Sequence, residues 1–328
     1  MVDHSLSLPK VFCSEKLHDE ALNFLNQKVH LINSYNGRLD PSEDICKYLG
    51  EAEGLINIGY QVNAKLLDSA PHLRVVSNIS VGYNNLDIPE LKKRNIIATN
   101  TPDVMNNSVA DLIIGHMIVT CRRAGELDKA IRNAEWKEDT FIKWFGTDIT
   151  GAKLGIVGCG RIGRVLAKKC ISAFNMQIAY YNRHRDYEAE ETLGIVHEDR
   201  DTLLQTSDFV VVLAPLNKET RHMIGKAEFD LMKPSAIFIN TARGQLVNEQ
   251  DLIDALMSGS IRAAGLDCFE QEPTYPENEL LKLRNTFLTP HIGSSTYKTR
   301  EAMVMLACRE MVAALYGQGP KCVIPELR

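Results

Sequence analysis

One ten-residue stretch, Leu154-Gly155-Ile156-Val157-Gly158-Cys159-Gly160-Arg161-Ile162-Gly163, restricts what this chain can fold into. A short apolar run breaks into Gly-x-Gly-x-x-Gly and resumes as Arg164-Val165-Leu166-Ala167-Lys168-Lys169, a good helix former. That pattern suits a strand, a tight turn and a helix in immediate succession. Gly158 permits the turn, Gly160 lets a ligand approach the backbone, and Gly163 lets helix and strand pack closely. The helix start at Arg161 and Ile162 offers unpaired N–H groups and the positive end of a dipole to an anion such as a pyrophosphate. A second apolar run, Gln177-Ile178-Ala179-Tyr180-Tyr181, ends at Asn182. A dinucleotide-binding fold places its ribose-reading residue there, roughly 20 residues beyond the glycines.

The rest of the chain repeats the alternation. Before residue 100 we read strands at 10–13, 29–32, 54–58, 74–79 and 95–100, with helical spacing at 17–25 and 64–68. Such alternation makes a parallel sheet covered by helices. Asn107 or Ser108 is expected to cap a helix that carries the chain out of this first domain. His116 lies on the apolar stripe of that helix, which makes it a core residue. Residues 124–150 mix charge with Trp136, Phe141, Trp144 and Phe145, the composition of an association surface. Beyond Asn182, continuous apolar runs at 208–213, 235–240, 262–267 and 285–289 read as strands buried on both faces.

Composition narrows the field. The chain has 328 residues, 45% hydrophobic and 24% charged, which suits about two globular domains. A net charge of −5 argues against a nucleic-acid or membrane-surface partner. The start, Met1-Val2-Asp3-His4-Ser5, lacks the basic and apolar regions of a signal peptide, so the expected location is the cytoplasm. Cysteines stand at 13, 46, 121, 159, 170, 268, 308 and 322, with no Cys-x-x-Cys pair. We read them as reduced thiols and expect no metal site from their spacing.

Polar residues gather where the later strands stop. Arg243, Glu272 and His291 follow three successive runs, and parallel strands present such ends to one crevice. Arg243 is a permanently charged fork that can hold a carboxylate and a neighbouring carbonyl oxygen. His291 titrates near working pH and can protonate that oxygen as hydride arrives. Glu272, paired with His291, favours the charged imidazolium. The loop Ser80-Val81-Gly82-Tyr83 also follows a strand; Gly82 there either exposes amides to a substrate carboxylate or makes a plain left-handed turn.

These segments resemble the D-isomer-specific 2-hydroxyacid dehydrogenases over nearly the whole chain. The resemblance is carried by Val81-Gly82-Tyr83-Asn84-Asn85, the glycine motif, Asn240-Thr241-Ala242-Arg243-Gly244, residues 265–273 and Pro290-His291-Ile292-Gly293-Ser294-Ser295. It implies an α/β protein of two doubly wound parallel-sheet domains. A Rossmann nucleotide-binding domain (101–291) is inserted into a flavodoxin-like substrate domain (1–100 and 292–328). It also implies a homodimer, built partly by the region before the glycine motif. Arg243, Glu272 and His291 would be the catalytic set, with Val81, Gly82, Arg243 and His291 on the substrate. Pro215, Thr241, Asp267 and Gly293 would lie along the cofactor, Asp267 near the nicotinamide amide. Cys268 departs from the pattern, since valine is common there. Among family members, the chain looks most like bacterial glyoxylate/hydroxypyruvate reductases that also reduce 2-ketogluconate.

The cofactor preference is read at Asn182-Arg183-His184-Arg185. An acid after the second strand would hold the ribose 2′-OH and repel a 2′-phosphate. Asn182 does not repel it, and Arg183 and Arg185 could grip it. NADP(H) is therefore expected over NAD(H). The expected reaction is reduction of glyoxylate or hydroxypyruvate to glycolate or D-glycerate. The rival readings are a 2-ketogluconate or other aldonate reductase, and a dinucleotide-sensing protein without turnover.

Overall fold

The computed structural model describes residues 7–32, 45–137 and 141–328, with the side chains of Phe141 and Ile142 left aside. The reading of Met1 to Ser5 lies outside the described residues. The chain divides into two compact units, residues 1–105 with 296–328, and residues 106–295. The expected boundaries after residues 100 and 291 stop a few residues short of these. The segment through Met105 still packs into the first core, and His291 and Gly293 are held by groups of the second unit.

In the first unit, β1 (Lys10–Cys13), α1 (Asp19–Asn26), β2 (His30–Leu31), β3 (Gly54–Asn57), α2 (Ala64–Asp68), β4 (Val75–Asn78), α3 (Ile88–Lys93) and β5 (Ile97–Thr99) form a βα alternation. The sheet order is β2-β1-β3-β4-β5, all parallel, the flavodoxin-like arrangement. Alternate residues face opposite sides. Val11, Ile56 and Val75 join a core with α1 and the C-terminal helix Tyr297–Leu315. Phe12, Leu55 and Val76 join another with α2 and α3. Both faces are thus dry, which is why these strands read as unbroken apolar runs.

In the second unit, α4 (Asn106–Cys121) and α5 (Ala124–Arg132) precede the sheet. There follow β6 (Lys153–Val157), α6 (Arg161–Phe174), β7 (Gln177–Tyr181), α7 (Tyr187–Leu193), β8 (Val196–His197), α8 (Arg200–Thr206), β9 (Phe209–Val212), α9 (Lys226–Leu231), β10 (Ile237–Asn240), α10 (Glu249–Ser258), β11 (Ala263–Leu266) and β12 (Thr286–Leu288). The order β12-β11-β10-β9-β6-β7-β8 is all parallel and reverses direction between β6 and β9, the switch point of a Rossmann sheet. Helices α8, α9 and α10 cover one face through Leu203, Phe229 and Leu252, packed on Val210, Phe238 and Ala264. Helix α4 lies against α6, β10 and β11. It starts at Asn106, one residue before the expected caps, so Asn107 and Ser108 sit inside it. Ser108 donates instead to Gly293 O at 2.8 Å, and that tertiary bond takes the hydroxyl that a cap would have used. No helix among the described residues is long and apolar enough to cross a membrane.

Candidate active site

The glycine motif sits where β6 meets β9. Gly158 has φ +94°, and a Cβ there would lie 2.5 Å from Ala214 N, so the turn requires glycine twice over. A Cβ on Gly163 would meet Cys159 Sγ at 3.0 Å, the close helix–strand packing read from the sequence. Gly160 differs: a Cβ there would meet no protein atom within 4 Å. Space is therefore kept clear at the N-cap of α6, where no side chain caps the first turn. Arg161, exposed, and Ile162 open that turn. Pro215 is exposed just past β9. Thr241, past β10, is buried with an Oγ1 that has no partner among the described residues. An open helix start, a cleared glycine and an orphan hydroxyl, all at strand ends flanking the switch point, fit a dinucleotide.

The segment after β7, expected to read the ribose, is more constrained than its sequence suggests. Asn182 donates to Cys159 O at 3.0 Å and so braces the phosphate turn. Arg185 is ion-paired with Glu190 and lies 5.0 Å over the Tyr187 ring. Asp186 caps α7 and pairs with Arg164. Arg183 is exposed and has no hydrogen-bond or ion-pair partner among the described residues. The two arginines are therefore not equivalent. Cys159 itself is buried, and burial first, the Asp186 charge second, pushes its thiol up to about 12. It is not a reactive thiolate at neutral pH.

Arg243, Glu272 and His291 follow β10, β11 and β12, which are neighbours in the sheet. The structure joins two of them directly: His291 Nδ1 lies 2.7 Å from Glu272 Oε2. The other carboxylate oxygen accepts from Phe269 N at 3.0 Å. Burial works to raise the Glu272 carboxyl. The His291 hydrogen bond and charge, the Phe269 amide and the Arg243 charge outweigh it and hold the group below its ordinary value. A carboxylate so held accepts the Nδ1 proton and so fixes the ring's orientation; Nε2 is then an acceptor in the neutral ring and a donor once the ring is charged. Arg243 makes no hydrogen bond to either partner; its Nη1 donates to Ala242 O at 2.6 Å. The loop that carries it is pressed against the Glu272 segment, because a Cβ on Gly244 would lie 1.9 Å from the Phe269 carbonyl.

His291 has φ +53°, an uncommon conformation for a non-glycine residue. Asp267 accounts for it. Its carboxylate is fully buried and accepts from Thr289 Oγ1 (2.6 Å), Ile292 N (2.8 Å) and Gly293 N (2.9 Å), so it clamps the loop on both sides of His291. Gly293, read as a cofactor contact, thus has its amide already engaged. Behind this clamp stands His116 Nε2, 2.8 Å from Thr289 Oγ1. Since Thr289 donates to Asp267, His116 must donate to Thr289, and its buried Nδ1 is left without a partner. A Cβ on Gly265 would lie 2.9 Å from that Nδ1, so β11 needs glycine to admit the ring. The sequence reading placed His116 in the core but missed its polar role; a histidine on an otherwise apolar stripe was the only signal.

Burial holds the His116 pKa down from 6.5 to about 4. Between those values the unfolded chain binds a proton that the folded chain refuses. Stability therefore falls as pH drops through that window, by on the order of 3 kcal/mol when complete. His116→Gln retains a donor for Thr289 and removes the titration. Melting temperatures followed from pH 7 to pH 4 are expected to show the variant losing less than the wild type; parallel curves would refute the assignment.

In the first unit, the Val81 carbonyl accepts from Asn100 Nδ2 at 2.8 Å, and the Gly82 carbonyl from Asn78 Nδ2 at 3.2 Å and from Ser80 Oγ. The carbonyls are pinned, while the Val81 and Gly82 amides have no acceptor among the described residues. Gly82 is not in the left-handed region, which removes the plain-turn alternative.

Comparison with known proteins places the chain in a family. A family model described as D-isomer specific 2-hydroxyacid dehydrogenase, NAD binding domain, matches residues 114–293. The chain is 42% identical over 320 residues to glyoxylate/hydroxypyruvate reductase B of Citrobacter koseri, covering 97% of this chain and 99% of that one. It is 41% identical over 310 residues to a probable 2-ketogluconate reductase of Dictyostelium discoideum, covering 94% and 93%. Among solved structures it is similar to an NADPH-dependent glyoxylate/hydroxypyruvate reductase from Sinorhizobium meliloti in complex with NADP and malonate, with a TM-score of 0.82, 28% identity and 98% of each chain covered.

Proposed function

The chain belongs to the D-isomer specific 2-hydroxyacid dehydrogenase family, as an NAD(P)-dependent oxidoreductase, and from that premise we propose that it uses NADPH to reduce small 2-keto acids. Glyoxylate and hydroxypyruvate come first, giving glycolate and D-glycerate. The observation that carries this reading is the Glu272–His291 hydrogen bond at the ends of β11 and β12, beside the loop bearing Arg243. The names of the relatives at 40–42% identity support the substrate class.

A bound nicotinamide supplies the hydride. Arg243 holds the substrate carboxylate and carbonyl oxygen with its guanidinium fork. His291 Nε2 gives its proton to that oxygen, and Glu272 keeps the ring oriented through Nδ1. The free amides of Val81 and Gly82 receive a carboxylate. Assay of nicotinamide absorbance with glyoxylate, hydroxypyruvate, pyruvate and 2-ketogluconate tests the proposal directly. Preference for 2-ketogluconate, the substrate in the Dictyostelium relative's name, would keep the mechanism and change the substrate. NADPH binding without turnover on any of them would leave a dinucleotide sensor instead.

The preference for NADPH rests on Arg183, since Glu190 already holds Arg185 and no acid stands between β7 and Asp186 to repel a 2′-phosphate. A charge-assisted hydrogen bond to phosphate contributes about 1.5–3 kcal/mol. Arg183→Ala is accordingly expected to raise the KM for NADPH by about tenfold or more and leave that for NADH nearly unchanged. Equal or better catalytic efficiency with NADH in the wild type would reject the preference.

We also propose a homodimer in the cytoplasm. Ile131, Trp136 and Phe145 are more than half exposed in the stretch read as an association surface, and none of the eight cysteines is in a disulfide, which suits a reducing compartment.

A further inference from the structure

Cys268 follows Asp267 at the end of β11 and is almost completely buried. Its thiol donates to Ala242 O at 3.3 Å. Its Sγ, a carboxylate oxygen of Glu272 and a ring nitrogen of His291 all lie within 4.8 Å of one another. Among the described residues, no other group of three or more histidine, cysteine and acidic side chains comes so close together. A thiolate, an imidazole and a carboxylate are the ligand types that zinc takes, and three protein ligands with an open fourth position is a common zinc arrangement.

We propose that Cys268, Glu272 and His291 form a binding site for a thiophilic divalent cation, Zn²⁺ above all, whose occupancy blocks the enzyme. Bond lengths of about 2.0–2.3 Å place tetrahedral ligand atoms roughly 3.2–3.8 Å apart. The longest separation in the trio, up to 4.8 Å, must therefore shorten by about an ångström, and the 2.7 Å hydrogen bond between His291 and Glu272 must give way. Glu272 and His291 are the ones able to move, since their side chains are 35% and 44% exposed while Cys268 is fixed in the core. Without metal each group is already satisfied, Glu272 by His291 and the thiol by Ala242 O, so the site is an inhibitory one and not a permanent metal centre.

Binding is an exchange of protons for metal. The Cys268 thiol releases its proton to solvent and its sulfur forms a bond to the cation. A carboxylate oxygen of Glu272 and one ring nitrogen of a neutral His291 form two more, the other ring nitrogen keeping the ring proton. Water fills the fourth position, and nothing is oxidised or reduced. The occupied His291 and Glu272 can no longer act on a keto acid. That consequence rests on the proposed reaction, whereas binding itself rests only on the three side chains.

Cobalt(II) is the probe, because a thiolate bound to Co²⁺ gives a charge-transfer band and tetrahedral d–d bands that need no turnover to observe. Titration of the whole protein with Co²⁺ is expected to give both, saturating at one equivalent per chain, with Zn²⁺ displacing the cobalt. Cys268→Val, which installs the residue the family resemblance leads one to expect, should abolish the thiolate band. The same variant should weaken Zn²⁺ binding, read by competition with a chelating dye, by at least about tenfold. Cys268→Ala serves if the valine variant misfolds, as judged by circular dichroism. In the wild type, Zn²⁺ should inhibit reversibly, with EDTA restoring activity. Absence of a thiolate band in the wild type, or an undiminished band in a folded Cys268 variant, overturns the site. A band with no keto-acid turnover keeps the site and rejects the reaction.

Discussion

Replacing His291 with alanine is expected to lower turnover of glyoxylate by about 10²–10⁴-fold, the range for losing a general acid. Affinity for NADPH should change little. The cleared Gly160, the unpartnered Thr241 hydroxyl and the exposed Arg183 belong to other strand ends and are untouched by the change. The expectation follows from the 2.7 Å bond between His291 Nδ1 and Glu272, which orients the ring so that, when charged, it can give up its Nε2 proton. Removing the ring also strips Glu272 of its hydrogen-bond partner. Burial, which already works to raise that carboxyl, would then oppose only the Phe269 amide and Arg243. Single-turnover kinetics with saturating NADPH, alongside fluorescence titration of the cofactor, separates the two quantities. Turnover within tenfold of wild type would remove His291 from the chemistry.

Asp267→Ala is expected to produce the largest loss of stability. The carboxylate is fully buried and accepts from one hydroxyl and two backbone amides. Its removal leaves the Ile292 and Gly293 N–H groups and the Thr289 hydroxyl without an acceptor, each at about 1–3 kcal/mol if they stay buried. The loop can relax and recover part of this, so roughly 3–5 kcal/mol is expected from the urea midpoint at unchanged m-value. His291 should lose its φ of +53° along with the clamp, and turnover per folded molecule should fall as well. The two readouts distinguish two roles. Lost turnover at full stability would mean that Asp267 serves a bound cofactor alone. Lost stability together with lost turnover means that it holds the loop. A loss under 1 kcal/mol would show that the clamp is not what fixes the loop.

Much of this arrangement was legible from the residues. Val75-Val76 and Leu55-Ile56 could be read as strand interiors because both faces of their sheet are dry. The glycine motif could be read because Gly158 and Gly163 answer local steric demands of the turn and of the helix start. Helices α5, α7 and α9 were not legible. They are short, and each buries a single side chain, Ala130, Ala189 and Phe229. The ribose-reading segment was legible only in part. Its charges are visible in the sequence, but Glu190, five residues beyond Arg185, decides which arginine remains free.

By itself, then, the sequence determined the two doubly wound sheets, the phosphate turn and the three strand ends that carry Arg243, Glu272 and His291. Those features depend on burial period and on backbone sterics, which act over a few residues. The tertiary structure alone decided the partnerships. Glu272 meets His291 across 19 positions, and His116 reaches Thr289 across 173. The Cys268 sulfur comes to rest beside the same pair. Such contacts depend on strand register and on the path of each loop over the sheet end. Those are set by the packing of α4, β11 and β12 against one another, and no local pattern of residue types encodes them.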